Sequence, residues 1–267
     1  MGNVRIVSLN AWGGAMFDEL AQWVPGCGAD VLCLQEVTRT PRLGGWTEFT
    51  DGERNLPQRA NLFDDVRRLL PGHQAMFLAS DAGPVTDRRG RSHRQDFGVA
   101  VFVDETISVV AHTSAFVHGS FADHVEWAVE DRPRVAQAVR LVDRAGSRTL
   151  TVVHLHGLRD PSGKADTPAR KAQAERLAEL VTATRDPADF VVVCGDLNLL
   201  PSSETFAVLG AIGMTDLVGE RDTRTSRYTK PVRNANYLLV SEPDAVEALA
   251  TPAAPEVSDH RPLILDI

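Results

Sequence analysis

The stretch Phe190-Val191-Val192-Val193-Cys194-Gly195-Asp196-Leu197-Asn198 decides how this chain is read. Its apolar run is short, β-branched and unbroken, which fits a strand buried on both faces. The run stops at a glycine, then presents an acid and an amide. Other apolar runs end in the same way: residues 4–9 run into Asn10, 31–34 into Gln35-Glu36, and 150–153 into His154-Leu155-His156. Ser258-Asp259-His260 stands just before the closing run 263–267. Strand ends of one sheet can converge on one edge, where layered α/β proteins place their sites.

Further strands are predicted over 99–103, 135–142 and 237–240. The alternation in 135–142 suits a half-solvated antiparallel strand. The best helix is predicted over 168–184. Thr167 can cap it, Pro168 suits its first turn, and Ala174, Leu177, Ala178 and Val181 form one apolar stripe. A second helix is predicted over 61–70, stopped by Pro71-Gly72; weaker helical signals cover 17–24 and 204–209. Residues 40–58, 81–95 and 114–133 read as long loops. Strands and helices mix throughout with no linker or repeat, so one α/β domain is expected over 1–267.

Composition narrows the function. Against 28 Lys and Arg stand 36 Asp and Glu, a formal net charge of −8. A protein that coats duplex by counterion release should be basic. No run approaches the ~20 apolar residues of a membrane helix. Met1-Gly2-Asn3-Val4-Arg5-Ile6 lacks the form of a secretory signal, and Ile6 stands where a myristoylation site wants Ser or Thr. Cys27, Cys33 and Cys194 show no Cys-x-x-Cys spacing and read as reduced, buried thiols of a cytoplasmic protein.

The ordered set Ser8-Leu9-Asn10-Ala11-Trp12, Leu34-Gln35-Glu36-Val37, His154-Leu155-His156, Gly195-Asp196-Leu197-Asn198 and Ser258-Asp259-His260 resembles the endonuclease/exonuclease/phosphatase superfamily, metal-dependent phosphoesterases related to DNase I. The resemblance spans nearly the whole chain. It implies a four-layer α-β-β-α sandwich of two mixed sheets, with the site at one edge. It implies Glu36 as principal metal ligand, with Asn10 beside it and Asp259 as a further metal-side carboxylate or histidine orienter. It implies that Asp196 and Asn198 orient the attacking water, and that His260 and His154 flank the scissile phosphate. The implied partner is a phosphorylated substrate, either nucleic acid or a small phosphoester, with no obligate protein partner. The chemistry of the residues agrees. Carboxylates from Glu36, Asp196 and Asp259 ~4–5 Å apart would repel by several kcal/mol at an effective dielectric near 20. Such a cluster must take a proton or hold a cation. Oxygen donors, with amide carbonyls from Asn10 and Asn198, select a hard ion, Mg²⁺ or Mn²⁺ before Ca²⁺.

One position departs from the family pattern. Many relatives carry an Asp, paired with the catalytic His, where Asn236 stands in Asn236-Tyr237-Leu238-Leu239. An amide can fix the tautomer of His260 but cannot stabilise imidazolium by charge. Asp96 is considered as a substitute. Asn236, Arg159 and Lys164 are placed on the substrate side, and Arg159, Lys164 and Arg170 could take a second phosphate. Two other basic clusters, Arg88 to Arg94 and Arg221 to Arg233, would steer anions if they crowd the metal edge. Trp12, Trp46 and Trp127 could stack on bases, although Trp12 reads better as structural. His154-x-His156 with Asp160 invites a zinc reading but lacks further ligands. Residues 157–165 lack the P-loop spacing and its Ser or Thr. No Gly-x-Ser-x-Gly elbow occurs. Asn236 also admits an alternative, a catalytically weakened phosphate-binding or scaffolding module.

Overall fold

The computed structural model describes residues 3–52, 54–145, 148–160 and 162–267. The reading of Met1-Gly2 therefore lies outside the described residues, as does Pro161 of the 157–165 loop. Fifteen strands are present in the described chain. They are β1 (Arg5–Asn10), β2 (Val31–Arg39), β3 (Trp46–Asp51), β4 (Arg54–Arg59), β5 (His73–Asp87), β6 (Ser92–Asp104), β7 (Ile107–His118), β8 (Ala122–Asp123), β9 (Arg134–Asp143), β10 (Arg148–His156), β11 (Phe190–Asp196), β12 (Thr215–Asp216), β13 (Asn236–Val240), β14 (Ala248–Ala250) and β15 (Leu263–Asp266). The α-helices are α1 (Phe17–Trp23), α2 (Leu62–Leu69), α3 (Pro168–Thr184) and α4 (Glu204–Gly210). One sheet runs β14-β15-β1-β2-β6-β5-β3-β4, with β8 on β5; the other runs β12-β13-β11-β10-β9-β7.

Alternation along the strands builds the layers. In β1 and β2, Val7, Leu9, Leu32 and Leu34 pack outward against Leu20 of α1 and Leu62, Phe63 and Val66 of α2. Their neighbours Ile6, Val31 and Cys33 turn inward and share one core with Leu150, Val152 and Val192 of the facing sheet. Leu177 and Val181 of α3 join that core. The result is an α-β-β-α sandwich of two mixed sheets. Every residue of β11 is buried, as its unbroken apolar run requires. The first six residues of β9 are buried too, so its polar positions are not the solvated face expected of it.

Each sheet contains one parallel pair made by a helical crossover. β1 pairs with β2 across α1, placing Asn10 opposite Gln35, and β10 pairs with β11 across α3, placing His156 opposite Asp196. The carboxyl ends of both pairs reach the same edge. α3 begins as its sequence demands: the Thr167 hydroxyl accepts from the Arg170 N–H. Asn61 caps α2 in the same way through Asp64.

Two expected loops are strands. Residues 40–58 contain most of the β3–β4 hairpin, and 81–95 form the far end of the long β5–β6 hairpin. Their strand pattern is masked by charged and polar residues that face water or the site. The three cysteines are free and buried.

Gly195, at φ +143°, lies opposite Leu155 in the β10–β11 pair. A Cβ there would lie 2.1 Å from the Leu155 carbonyl oxygen. Gly195→Ala is expected to destabilise the fold by about 3 kcal/mol or more, read by urea unfolding. Unchanged stability would contradict this packing.

Candidate active site

The site begins with a bulge. Between Leu34 and Val37 the β2–β6 register shifts, and Glu36 takes a left-handed backbone, φ 54°. A bulge re-aims one side chain out of the strand's alternation, and here it turns Glu36 to the sandwich edge. From the other sheet comes Asp196, the last residue of β11. One amide joins them: Asn10 Nδ2 donates to Glu36 Oε1 at 3.0 Å and to Asp196 Oδ2 at 2.9 Å. The backbone N–H of Trp12 donates to Asn10 Oδ1 at 2.9 Å, which fixes the orientation of that amide. Asn10 therefore presents N–H to the acids. The carbonyl oxygen expected as a metal ligand is the atom that accepts from Trp12.

His156 closes the group. Its Nε2 lies 3.8 Å from both Glu36 Oε1 and Asp196 Oδ2, and 3.3 Å from Asn198 Nδ2. Ligand atoms of Glu36, His156 and Asp196 all fall within 4.8 Å of one another. Burial holds the His156 imidazole far below its usual pKa, and Arg134, Arg132, Arg224 and Arg159 push the same way. The ring is thus neutral, as a metal-ligating imidazole must be. Two carboxylates and a neutral imidazole make a donor set that fits a divalent cation.

His154 is elsewhere. Its Nε2 meets Gln137 Oε1 at 3.0 Å deep between the sheets, and burial lowers its pKa to about 3. It does not line the cavity at this edge. Both histidines project from the same face of β10, but only His156, level with Asp196, reaches the sheet edge. The structure thus brings His156, and not the expected His154, to this edge, and the two histidines do not converge on one site.

On the far side of Asp196 stands His260. Its Nε2 is 3.3 Å from Asp196 Oδ2, and its Nδ1–H donates to Asn236 Oδ1 at 2.7 Å. Asn236 Nδ2 in turn donates to the Arg261 carbonyl at 3.0 Å. The amide satisfies both neighbours, whereas a carboxylate would set an oxygen against that carbonyl. Asp96 has no contact with His260. It lies on β6 opposite Arg39, and burial raises its pKa. Arg224 lies on the other side of the ring, where NH1 donates to Asp259 Oδ2 at 2.8 Å and to His260 Nε2; burial, and then this cation, hold His260 well below its usual pKa. Burial keeps Asp259 up at about 7, with Arg224 pulling it down and Glu36 and Asp196 pushing it up. Asp259 thus shares the field of the two acids but is tied to Arg224, outside the three-residue group expected to include it. The Asn198 N–H donates to Asp196 Oδ1 at 3.0 Å, and Asn198 has φ 55°.

These groups floor a cavity of about 650 Å³. Nine cationic and five anionic side chains line it, an excess of four positive charges on a chain of net charge −8. Arg159 and Lys164 are among them, as are Arg224, Arg227 and Lys230 of the second basic cluster. The first cluster is not: Arg91 and His93 are tied to Asp87 in the β5–β6 turn. Of the tryptophans only Trp12 lines the cavity. Trp127 packs on Phe49 and Phe97 with its N–H on the Pro84 carbonyl, and Arg59 covers Trp46. Arg134, missed by the sequence reading, is buried on the cavity wall with its Nε unpartnered. Burial lowers it to about 10. Its signal was Arg134 opening the alternation of β9, legible only once that strand's end is known to reach the site.

A two-sheet sandwich with an acidic, cation-ready edge inside a positive cavity is built to receive an anionic ligand. A model of the Endonuclease/Exonuclease/phosphatase family matches residues 7–260, and the chain belongs to that family. The fold is similar to mannosyl-6-phosphatase Bt3783 of Bacteroides thetaiotaomicron VPI-5482, with TM-score 0.69 and 14% identity over 99% of each chain. It is similar to D. rerio TDP2 complexed with a single strand DNA product, with TM-score 0.68 and 13% identity over 100% of this chain and 99% of that one. The human Nocturnin catalytic domain, with bound sulfate, gives TM-score 0.65 and 19% identity over 99% and 92%. Comparison with curated proteins finds no match.

If Asn236 is the tautomer-setting partner of His260, Asn236→Asp should raise the His260 pKa by about one unit or more, because a carboxylate stabilises imidazolium. NMR titration of the ring reads this. Superimposable curves would exclude the pairing.

Proposed function

We propose that this protein is a divalent-metal-dependent phosphoesterase, hydrolysing a phosphodiester before a phosphomonoester by direct attack of water. The observation that supports it most is the meeting of Glu36 and Asp196 across Asn10, with His156 within reach of both. Glu36 and Asp196, with His156, are the residues to hold the ion, Mg²⁺ or Mn²⁺. When bound, such an ion supplies positive charge to the phosphate oxygens and lowers the pKa of coordinated water.

The chain's own residues do the rest. Asn10 fixes the two carboxylates, and the Asn198 N–H fixes the other oxygen of Asp196. His260 keeps its proton on Nδ1 against Asn236, so the Nε2 lone pair faces the cavity beside Asp196. Once substrate draws the Arg224 guanidinium off Nε2, that lone pair accepts a proton from the attacking water. Arg134 and Arg224 present guanidinium N–H groups where charge grows on the non-bridging oxygens. Phe49, Leu56 and Phe97 supply an apolar part of the cavity lining. In this reading Asp259 orients Arg224.

Two observations favour a second reading, a phosphate-binding or scaffolding module. Asn236 is uncharged, and Arg224 occupies the Nε2 that a general base must free. Turnover of bis-p-nitrophenyl phosphate separates the two. The enzyme reading expects release that requires Mg²⁺ or Mn²⁺ and stops in EDTA. Glu36→Gln and His156→Ala are each expected to lower kcat/KM by about 100-fold or more, while His154→Gln acts on stability first. Binding of phosphorylated ligands without turnover by the wild type would leave the module.

A further inference from the structure

All four arginines buried among the described residues line the one cavity: Arg132, Arg134, Arg170 and Arg224. Arg132 and Arg224 have acid partners, Asp81 and Asp259. Arg170 has none. Its guanidinium donates to three carbonyls of the loop between β10 and α3: Gly163 at 2.8 Å, Leu158 at 3.4 Å, and Ala165. The loop is tightened further where Asp160 Oδ1 accepts from the Ser162 N–H and hydroxyl, and where Asp160 bridges Gly163. A charged group spent on neutral carbonyls stabilises one loop shape, and that shape turns Arg159 and Lys164 to the cavity. Neither has an acid partner among the described residues. Lys164 donates only to the Asn234 carbonyl.

We propose that this loop is a second anion subsite, which takes a further phosphate of the substrate beyond the one that is cleaved. The inference rests on the phosphoesterase reading above and names its substrate class: molecules with at least two phosphates. Charge accounting supports it. Of the excess of four positive charges in the lining, Asp81 offsets Arg132 and Glu256 offsets Arg227, which leaves two before any cation is added, still more than one phosphodiester needs. Burial lowers Arg159, as does its neighbour Arg54, while the fields of Asp51 and Glu36 offset part of this. Lys164 is lowered to about 8, chiefly by burial. Cations held at such a disadvantage gain most from an anion that enters between them. Arg170 is a positioning residue in this scheme, since it touches the loop and not the ligand.

The second phosphate has two possible sources, a nucleotide or a phosphorylated sugar. Calorimetric titration in EDTA, where hydrolysis is blocked, compares adenosine 3′,5′-bisphosphate with adenosine 5′-monophosphate, and glucose 1,6-bisphosphate with glucose 6-phosphate. The second phosphate should tighten binding about tenfold or more in at least one pair. Arg159→Ala/Lys164→Ala should remove most of that gain, and Arg159→Lys/Lys164→Arg should keep it. A gain confined to the adenosine pair assigns a nucleotide source; a gain in the sugar pair assigns a subsite indifferent to the base. No gain in either pair, or a gain that survives the double alanine variant, overturns the subsite. Wild-type turnover of bis-p-nitrophenyl phosphate, which has a single phosphate, tests the parent reading separately.

Discussion

One side-chain amide joins the two sheets at the point where function is expected. Asn10 ends a strand of the first sheet, yet its NH₂ group spans Glu36 of that sheet and Asp196 of the other. Two carboxylates this close are costly to keep ionised without a compensating positive charge. The bulge at Glu36, the glycine before Asp196 and the hydrogen bond from Trp12 all place these three groups. The Ser258 hydroxyl adds a tie at 2.6 Å to the Asn10 carbonyl, which brings the Asp259-His260 segment to the same edge.

Around this constraint the protein separates its charges. Acids sit on the floor and guanidinium groups on the wall, inside a chain whose bulk charge is negative. The field at the mouth therefore differs in sign from the field of the whole molecule. An anionic ligand gains from the cavity and not from the remaining surface, which suits a discrete phosphoester better than long stretches of duplex. The substitution at Asn236 belongs to the same pattern. The position faces both an imidazole and a backbone carbonyl, and the amide of Asn236 bonds to the two.

Much of this was legible in the sequence, for identifiable reasons. Fully apolar runs such as 190–194 announced their strands, and Thr167-Pro168 announced the longest helix. The polar residues at the ends of those runs marked the edge that carries the site. What stayed hidden depended on register and on tertiary burial. Nothing in His154-Leu155-His156 tells how far along the strand the sheet edge lies; pairing with β11 decides it in favour of His156. Hairpins β3–β4 and β5–β6 read as loops because their polar residues obscure the strand signal. Arg134 gave no signal on its own because local sequence cannot show that a cavity forms around it, and Arg170, expected to take a phosphate, is instead bonded to loop carbonyls, which local sequence cannot show either.

The central claim is that Glu36 and Asp196, from opposite sheets, share one cation. Anomalous diffraction from crystals soaked in Mn²⁺ tests it most directly. A single strong peak in contact with both carboxylates, and lost in Asp196→Asn, is the expected result. A protein that binds Mn²⁺ only at other acidic residues, or at one of the two carboxylates without the other, would contradict the account.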